Sequence, residues 1–197
     1  FVGTFRAQDL WVEAQSSTPM LRAGGAFEAT VSAGYWSGGG ASGVGLQRVE
    51  ASLISESPAQ TYPQYAEYEF AKSEAEQHFS LHYAPAELPT LDANGRTRIA
   101  IPIVFDEEQR KAGAPPPFGR IEMTAEAGLA GREAVASRAA VAHYAHYDRY
   151  VGLRLRPSWF DARTPLQMDA VVIDAEGNAQ GAAEIEVIVE YLAQQED

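Results

Sequence analysis

The four histidines fall into two close pairs, His78/His82 and His143/His146. Imidazole is a common metal ligand, and a His-x3-His spacing on a helix would set two rings on one side of an ion. On a strand, His78 and His82 share a face but stand too far apart for one ion, and His143 and His146 point to opposite faces. No carboxylate pair nearby completes either set, so the histidines read as surface or half-buried side chains. Gly38, Gly39, Gly40, Gly43 and Gly45 suggest a phosphate cradle, yet a P-loop closes on Gly-Lys-Ser/Thr at the start of a helix, and no lysine follows here. Ser37 to Gly45 reads instead as a flexible hairpin loop. There is no Gly-x-Ser-x-Gly elbow and no ordered Ser, His and Asp set. Glu107 and Glu108 read as solvated loop charges, not as a hydrolytic pair. With no cysteine, thiol catalysis, disulfides and Cys-type zinc sites are excluded. No catalytic, cofactor-binding or metal-ligating residue is assigned, no cofactor is implied, and the expectation is that the chain is not an enzyme. Tyr62, Tyr65, Tyr68 and Tyr83 could line a peptide- or sugar-binding surface. Packing over the open end of a β-sandwich is the reading favoured for them.

The elements around these residues follow period 2. Leu10-Trp11-Val12 opens a first strand, and turns follow at Ser16–Pro19 and Arg22–Gly25. Phe27, Ala29, Val31, Ala33 and Tyr35 share one face of the clearest strand, with Glu28, Thr30 and Ser32 on the other. Leu46 to Ile54 resumes the alternation through Val49, Ala51 and Leu53. Tyr62 to Tyr68, with Pro63, reads as an extended connection into a short strand near Phe70. Phe79, Leu81 and Tyr83 alternate again. Ile99, Ile101 and Ile103 form a strand whose Pro102 lacks a ladder donor, which places it at a sheet edge or a bulge. Asp106 to Lys111 is a charged loop, and Pro115-Pro116-Pro117 is a stiff linker. Arg132 to Ala145 is alanine-rich and has high helix propensity. The even spacing of Val135 and Val141 favours instead the second arm of a hairpin begun by Ile121–Glu126. Val151, Leu153 and Leu155 form one further apolar row, and Leu166, Met168, Ala170 and Val172 another. Two similar turns, Asp92-Ala-Asn-Gly95 and Asp174-Ala-Glu-Gly177, flank such stretches; the second leads to the alternating Glu184–Glu190. In an Asp-x-x-Gly turn the carboxylate caps backbone amides and the glycine takes positive φ.

At 197 residues and 46% hydrophobic content the chain is long and apolar enough to bury a core. A net charge of −12 is repelled by a phosphate backbone and argues against nucleic acid as a partner. No run of about 18 apolar residues exists to span a bilayer as a helix, so no membrane insertion of this segment is expected. Phe1-Val-Gly-Thr-Phe5 reads as the interior of a longer chain. Many short strands between Gly/Pro turns imply an all-β chain of fibronectin/immunoglobulin-like antiparallel sandwiches, with a boundary near His146.

Together these segments resemble bacterial alpha-2-macroglobulins, in their tandem macroglobulin domains. Phe1 to Val12 is similar to the join between one domain's last strand and the next domain's first. Phe27-Glu-Ala-Thr-Val-Ser-Ala-Gly-Tyr35, the small-residue loop and Gly43-Val-Gly-Leu46 resemble that family's strand-Tyr-loop-Gly pattern. Pro63-Gln-Tyr65-Ala-Glu-Tyr-Glu-Phe70 is similar to its Pro-Gly-Tyr segment, with Gln64 and Ala66 where glycine is usual. Thr90-Leu-Asp92-Ala-Asn-Gly95-Arg-Thr-Arg resembles the turn before a late strand. Tyr150-Val-Gly152-Leu-Arg, Phe160-Asp161 and Val172-Ile-Asp174-Ala-Glu-Gly177 look like the start of a following domain. The resemblance implies one macroglobulin-type sandwich over residues 1–145 and a second, partial one over 146–197. It implies the periplasm, with the full-length protein an inner-membrane lipoprotein, and protease trapping in host defence, after cleavage of a bait region. Partners would be neighbouring macroglobulin domains and, through the full-length protein, target proteases. The Cys-x-x-Gln thioester of many members cannot lie in a chain without cysteine, and no functional residue carries over. The alternative is a cell-surface adhesion or glycan/peptide-binding sandwich that uses Tyr62–Tyr83.

Overall fold

Phe27, Ala29, Val31 and Ala33 all turn into the interior of the molecule from one strand, and the sheets assemble around that row. The computed structural model describes residues 10–70, 78–105, 115–129, 133–156, 167–181 and 184–188. One sheet has the order β1-β3-β7, with β1 at Leu10–Ser16, β3 at Ala26–Tyr35 and β7 at Arg96–Pro102, all antiparallel. The facing sheet has the order β2-β10-β8-β4-β6: β2 Met20–Arg22, β10 Ala140–Ala145, β8 Phe118–Gly128, β4 Gly45–Ser55 and β6 His78–Leu81. A short β9, Val135–Ala136, also pairs with β8. Phe27, Val31, Ile99 and Ile101 from the first sheet meet Leu53, Ile121, Met123 and Tyr144 from the second in one core. β7 is an edge strand, as Pro102 requires.

The alanine-rich stretch is β9 and β10, not helix. Ala140, Ala142 and Tyr144 are buried at alternate positions, and pairing with β8 overrides local propensity. Ser137 bridges the gap between the two strands: its amide donates to the Ala125 carbonyl, and its Oγ accepts from the Ala125 amide. In β4 a register shift between Leu46 and Arg48 explains why Leu46 and Ala51 both face inward from positions of opposite parity.

A third sheet has the order β12-β11-β5, with β5 at Glu69–Phe70, β11 at Arg149–Arg156 and β12 at Gln167–Asp174. Here one expectation is inverted. In β11 the apolar row Val151, Leu153 and Leu155 faces away from the packed side, with Val151 44% and Leu155 45% exposed. Tyr150 and Gly152 are the buried positions. The reason is a ring: a Cβ on Gly152 would stand 2.8 Å from Phe70, so the aromatic side chain of β5 occupies the space above that glycine. Tyr62–Tyr68 is likewise not an extended connection. It follows a helical turn, α1 at Pro58–Thr61, and contains a 3-10 turn at Pro63–Tyr65. A capping box starts α1: the Ser57 Oγ accepts from Ala59, the Gln60 side chain accepts from the Ser57 amide, and Pro58 sits in the first turn. Over residues 184–188 no strand forms, contrary to the alternation read there. Glu107, Glu108 and Lys111 lie outside the described residues.

Candidate functional site: an aromatic junction between the sandwich and the third sheet

Phe118, at the start of β8, is buried at the centre of a second hydrophobic cluster with Phe70, Ala145, Tyr150, Ile173 and Ala175. Tyr150 meets its ring edge-on at 5.4 Å, Tyr62 edge-on at 6.1 Å, and His143 stacks at 6.4 Å. Phe70 meets Tyr65 at 6.4 Å. These rings come from β8, β10, β11 and the α1–β5 segment, so the cluster joins the two parts of the molecule. Each edge-to-face pair contributes about 0.5–1.5 kcal/mol beyond its buried area.

The tyrosine hydroxyls reach across the junction. Tyr62 donates to the Ala175 carbonyl, and Tyr65 donates to the Gly177 carbonyl at 3.1 Å. Tyr150 donates to the Pro117 carbonyl at 2.7 Å and accepts from the Tyr147 amide. Burial, helped by Glu176 and Asp174, pushes the Tyr62 phenol up to about 12. Burial pushes Tyr144 to about 12 and also raises Tyr150. All three phenols are therefore held neutral, and Tyr62 and Tyr150 act as hydrogen-bond donors. Tyr62, Tyr65 and Tyr68 pack here, as the sandwich-end reading expected; Tyr83 instead packs against the main core.

The Asp174 turn supplies the other side of the contact. The Asn178 amide donates to its Oδ1 at 2.8 Å, and Gly177 takes φ +82°. Desolvation opposes ionisation of Asp174, but hydrogen bonds from Asn178 and the Glu176 amide, with the Arg22 charge, together outweigh it and hold the carboxyl below its ordinary value. The Asp92 turn has the same build, with Asn94 and Arg96 amides donating to Oδ1 at 2.8 and 2.9 Å and Gly95 at φ +73°. The two turns sit differently in the fold. Gly95 is wedged against the Ala33 carbonyl and Gly40 in the sandwich, whereas Gly177 lies under Tyr62.

Charged groups ring the junction. Arg22 bonds Asp148 at 3.2 Å, Glu176 at 3.0 Å and the Tyr147 carbonyl at 3.2 Å. Arg154 lies over the Tyr68 ring at 4.7 Å, bonds Asp169 at 2.8 Å and pairs with Glu67. Neither arginine stood out in the sequence, because both join positions far apart in the chain.

The histidine pairs stay apart in role. His78 and His82 are exposed near β6; His143 stacks on Phe118; His146 meets the Tyr144 hydroxyl at 3.1 Å. Among the described residues no group of three or more His, Asp or Glu side chains is placed to hold a metal ion. The Ser37–Gly45 loop is tied back: Ala41 donates to Ala33, and Gly40 bridges to Gly34.

No protein-family model and no curated protein matches the chain. Solved structures do. A point mutant of Salmonella alpha-2-macroglobulin matches with a TM-score of 0.59 at 17% identity, over 90% of this chain and 12% of that one. Escherichia coli alpha-2-macroglobulin activated by porcine elastase matches with a TM-score of 0.57 at 21% identity, over 88% of this chain and 15% of that one. The trypsin-activated Escherichia coli protein matches with a TM-score of 0.53 at 18% identity, over 85% and 12%. The chain thus spans about an eighth of the length of these structures. The likeness shows the fold: antiparallel β-sheets arranged as in bacterial alpha-2-macroglobulins. No helix among the described residues is long and apolar enough to cross a membrane.

Proposed function

We propose that this chain is a structural segment of a bacterial alpha-2-macroglobulin-like protease inhibitor of the periplasm. Residues 1–145 form one macroglobulin domain, and residues 146–197 belong to the next. The observation that carries the reading is the extent of the structural match. A TM-score of 0.59 over 90% of the chain supports a likeness of fold along most of its length. Single sandwiches recur in many unrelated proteins, whereas a likeness that extends over most of a chain of this length is more specific.

On this reading the segment performs no chemistry and is not an enzyme. Its contribution is rigidity: the Phe118 cluster, the tyrosine bonds to the Asp174 turn and the two arginines fix one domain against the next. On the same reading a bait region and a thioester lie elsewhere in the full-length protein or are absent from it, and that protein is a lipoprotein of the inner membrane. The test is to express the full-length protein and incubate it with trypsin or elastase. Trapping predicts that the protease still cleaves a small chromogenic peptide but loses its action on a large protein substrate. Undiminished cleavage of the large substrate at excess inhibitor would overturn the proposal.

A further inference from the structure

The outer face of the β1-β3-β7 sheet carries a groove that the junction does not use. Its volume is about 610 Å³, within the range of ligand sites. The register places Trp11 opposite Gly34, Glu13 opposite Ser32, and Ser32 opposite Arg96, so three strands present one row across the sheet. Asn94, from the Asp92 turn, closes one end. The floor is built for the ring: a Cβ on Gly34 would stand 2.7 Å from the Trp11 indole, so only glycine lets the indole rest there. Trp11 keeps part of its surface open to solvent. Among the described residues, the side chains of Glu13, Ser32, Asn94 and Arg96 make no hydrogen bond or ion pair.

We propose that this groove binds an oligosaccharide, with Trp11 as the stacking platform. An indole offers an apolar plane to a sugar ring, and the row beside it supplies both donors and acceptors, which is what hydroxyl groups need. A peptide fits less well. Peptides that join sheets do so through main-chain bonds at an edge. Here the groove lies on the sheet face, where β3 is already paired on both sides, and offers side chains alone. One anion and one cation leave the row without a net charge, so a neutral glycan suits it better than a polyanion.

The experiment is a printed array of neutral and acidic oligosaccharides probed with the 197-residue chain. The best-binding saccharide is then titrated by tryptophan fluorescence. The expected result is binding to one group of saccharides, weakened at least about tenfold in Trp11→Ala and severalfold in Glu13→Ala and Arg96→Ala. The last two side chains are exposed, so these variants test the groove even where loss of the indole disturbs the sheet. Absence of binding on the array overturns the proposal, as does affinity unchanged in all three variants. Because the readout is saccharide binding, it stands apart from the protease-trapping test.

Discussion

The Tyr62 ring lies directly on Gly177: a Cβ at that glycine would come within 2.7 Å of Tyr62 Cδ1. The same glycine holds φ +82°. Two requirements therefore coincide at one residue, a left-handed backbone and an empty space above it. Gly24 has nearly the same backbone, φ +80°, with nothing within 4 Å of its added Cβ.

Comparing the two separates the requirements. Gly24→Ala is expected to cost about 1 kcal/mol, the penalty for the left-handed backbone alone. Gly177→Ala adds the displaced tyrosine and is expected to cost about 3 kcal/mol in all. At about 2–4 °C per kcal/mol for a chain of this size, thermal melting resolves the difference. Equal losses would mean that the ring contact contributes nothing.

The tyrosine hydroxyls make stability depend on pH at the alkaline end. A phenol whose pKa is raised on folding is held in its neutral form. Its contribution is complete below the unfolded value near 10 and is lost as pH climbs through the folded value of about 12. Denaturant unfolding followed between those limits should show falling stability. Tyr62→Phe should lower stability at neutral pH by about 1 kcal/mol, for the lost bond to Ala175, and flatten part of the alkaline decline. An unchanged alkaline profile in that variant would remove Tyr62 from the account.

Much of the sandwich was legible because its signals are local. Phe27 to Tyr35 alternates, Pro102 cannot donate inside a sheet, and both Asp-x-x-Gly turns carry their own caps. The inverted face of β11 was not legible, because Val151 and Leu155 look like a core row until Phe70, from a distant segment, occupies the space over Gly152. The Ser57–Gln60 capping box was present in the letters, but the tyrosines beyond it suggested extended chain. The junction is less visible still: Tyr62 and Ala175 stand 113 residues apart in the chain and meet in a fold in which β5 pairs with β11.

The two arginines at the junction should differ in weight. The Arg22 side chain is 42% exposed and its carboxylate partners more so, and exposed ion pairs are worth about 0–1 kcal/mol, so Arg22→Ala should be nearly silent in physiological salt. Arg154 has both a carboxylate and an aromatic face to satisfy. Lysine cannot reproduce its planar fork, so Arg154→Lys should lower stability measurably, and more than Arg22→Ala does, although the charge is kept. Urea denaturation of both variants at two salt concentrations checks this ordering. A larger loss for Arg22→Ala would reverse it.

The outward row of β11 tests the proposed domain organisation. In the chain as it stands Val151 and Leu155 are about half exposed, so Val151→Asp should change stability by no more than about 0.5 kcal/mol. If residues 146–197 belong to a second sandwich, the strands that complete it cover that row in a longer chain. The same substitution then buries a carboxylate and should cost about 2–3 kcal/mol there. Denaturant unfolding of Val151→Asp in both lengths decides the matter. A near-neutral effect in the longer chain would mean that the row faces solvent in the whole protein too, and that residues 146–197 do not belong to a second sandwich.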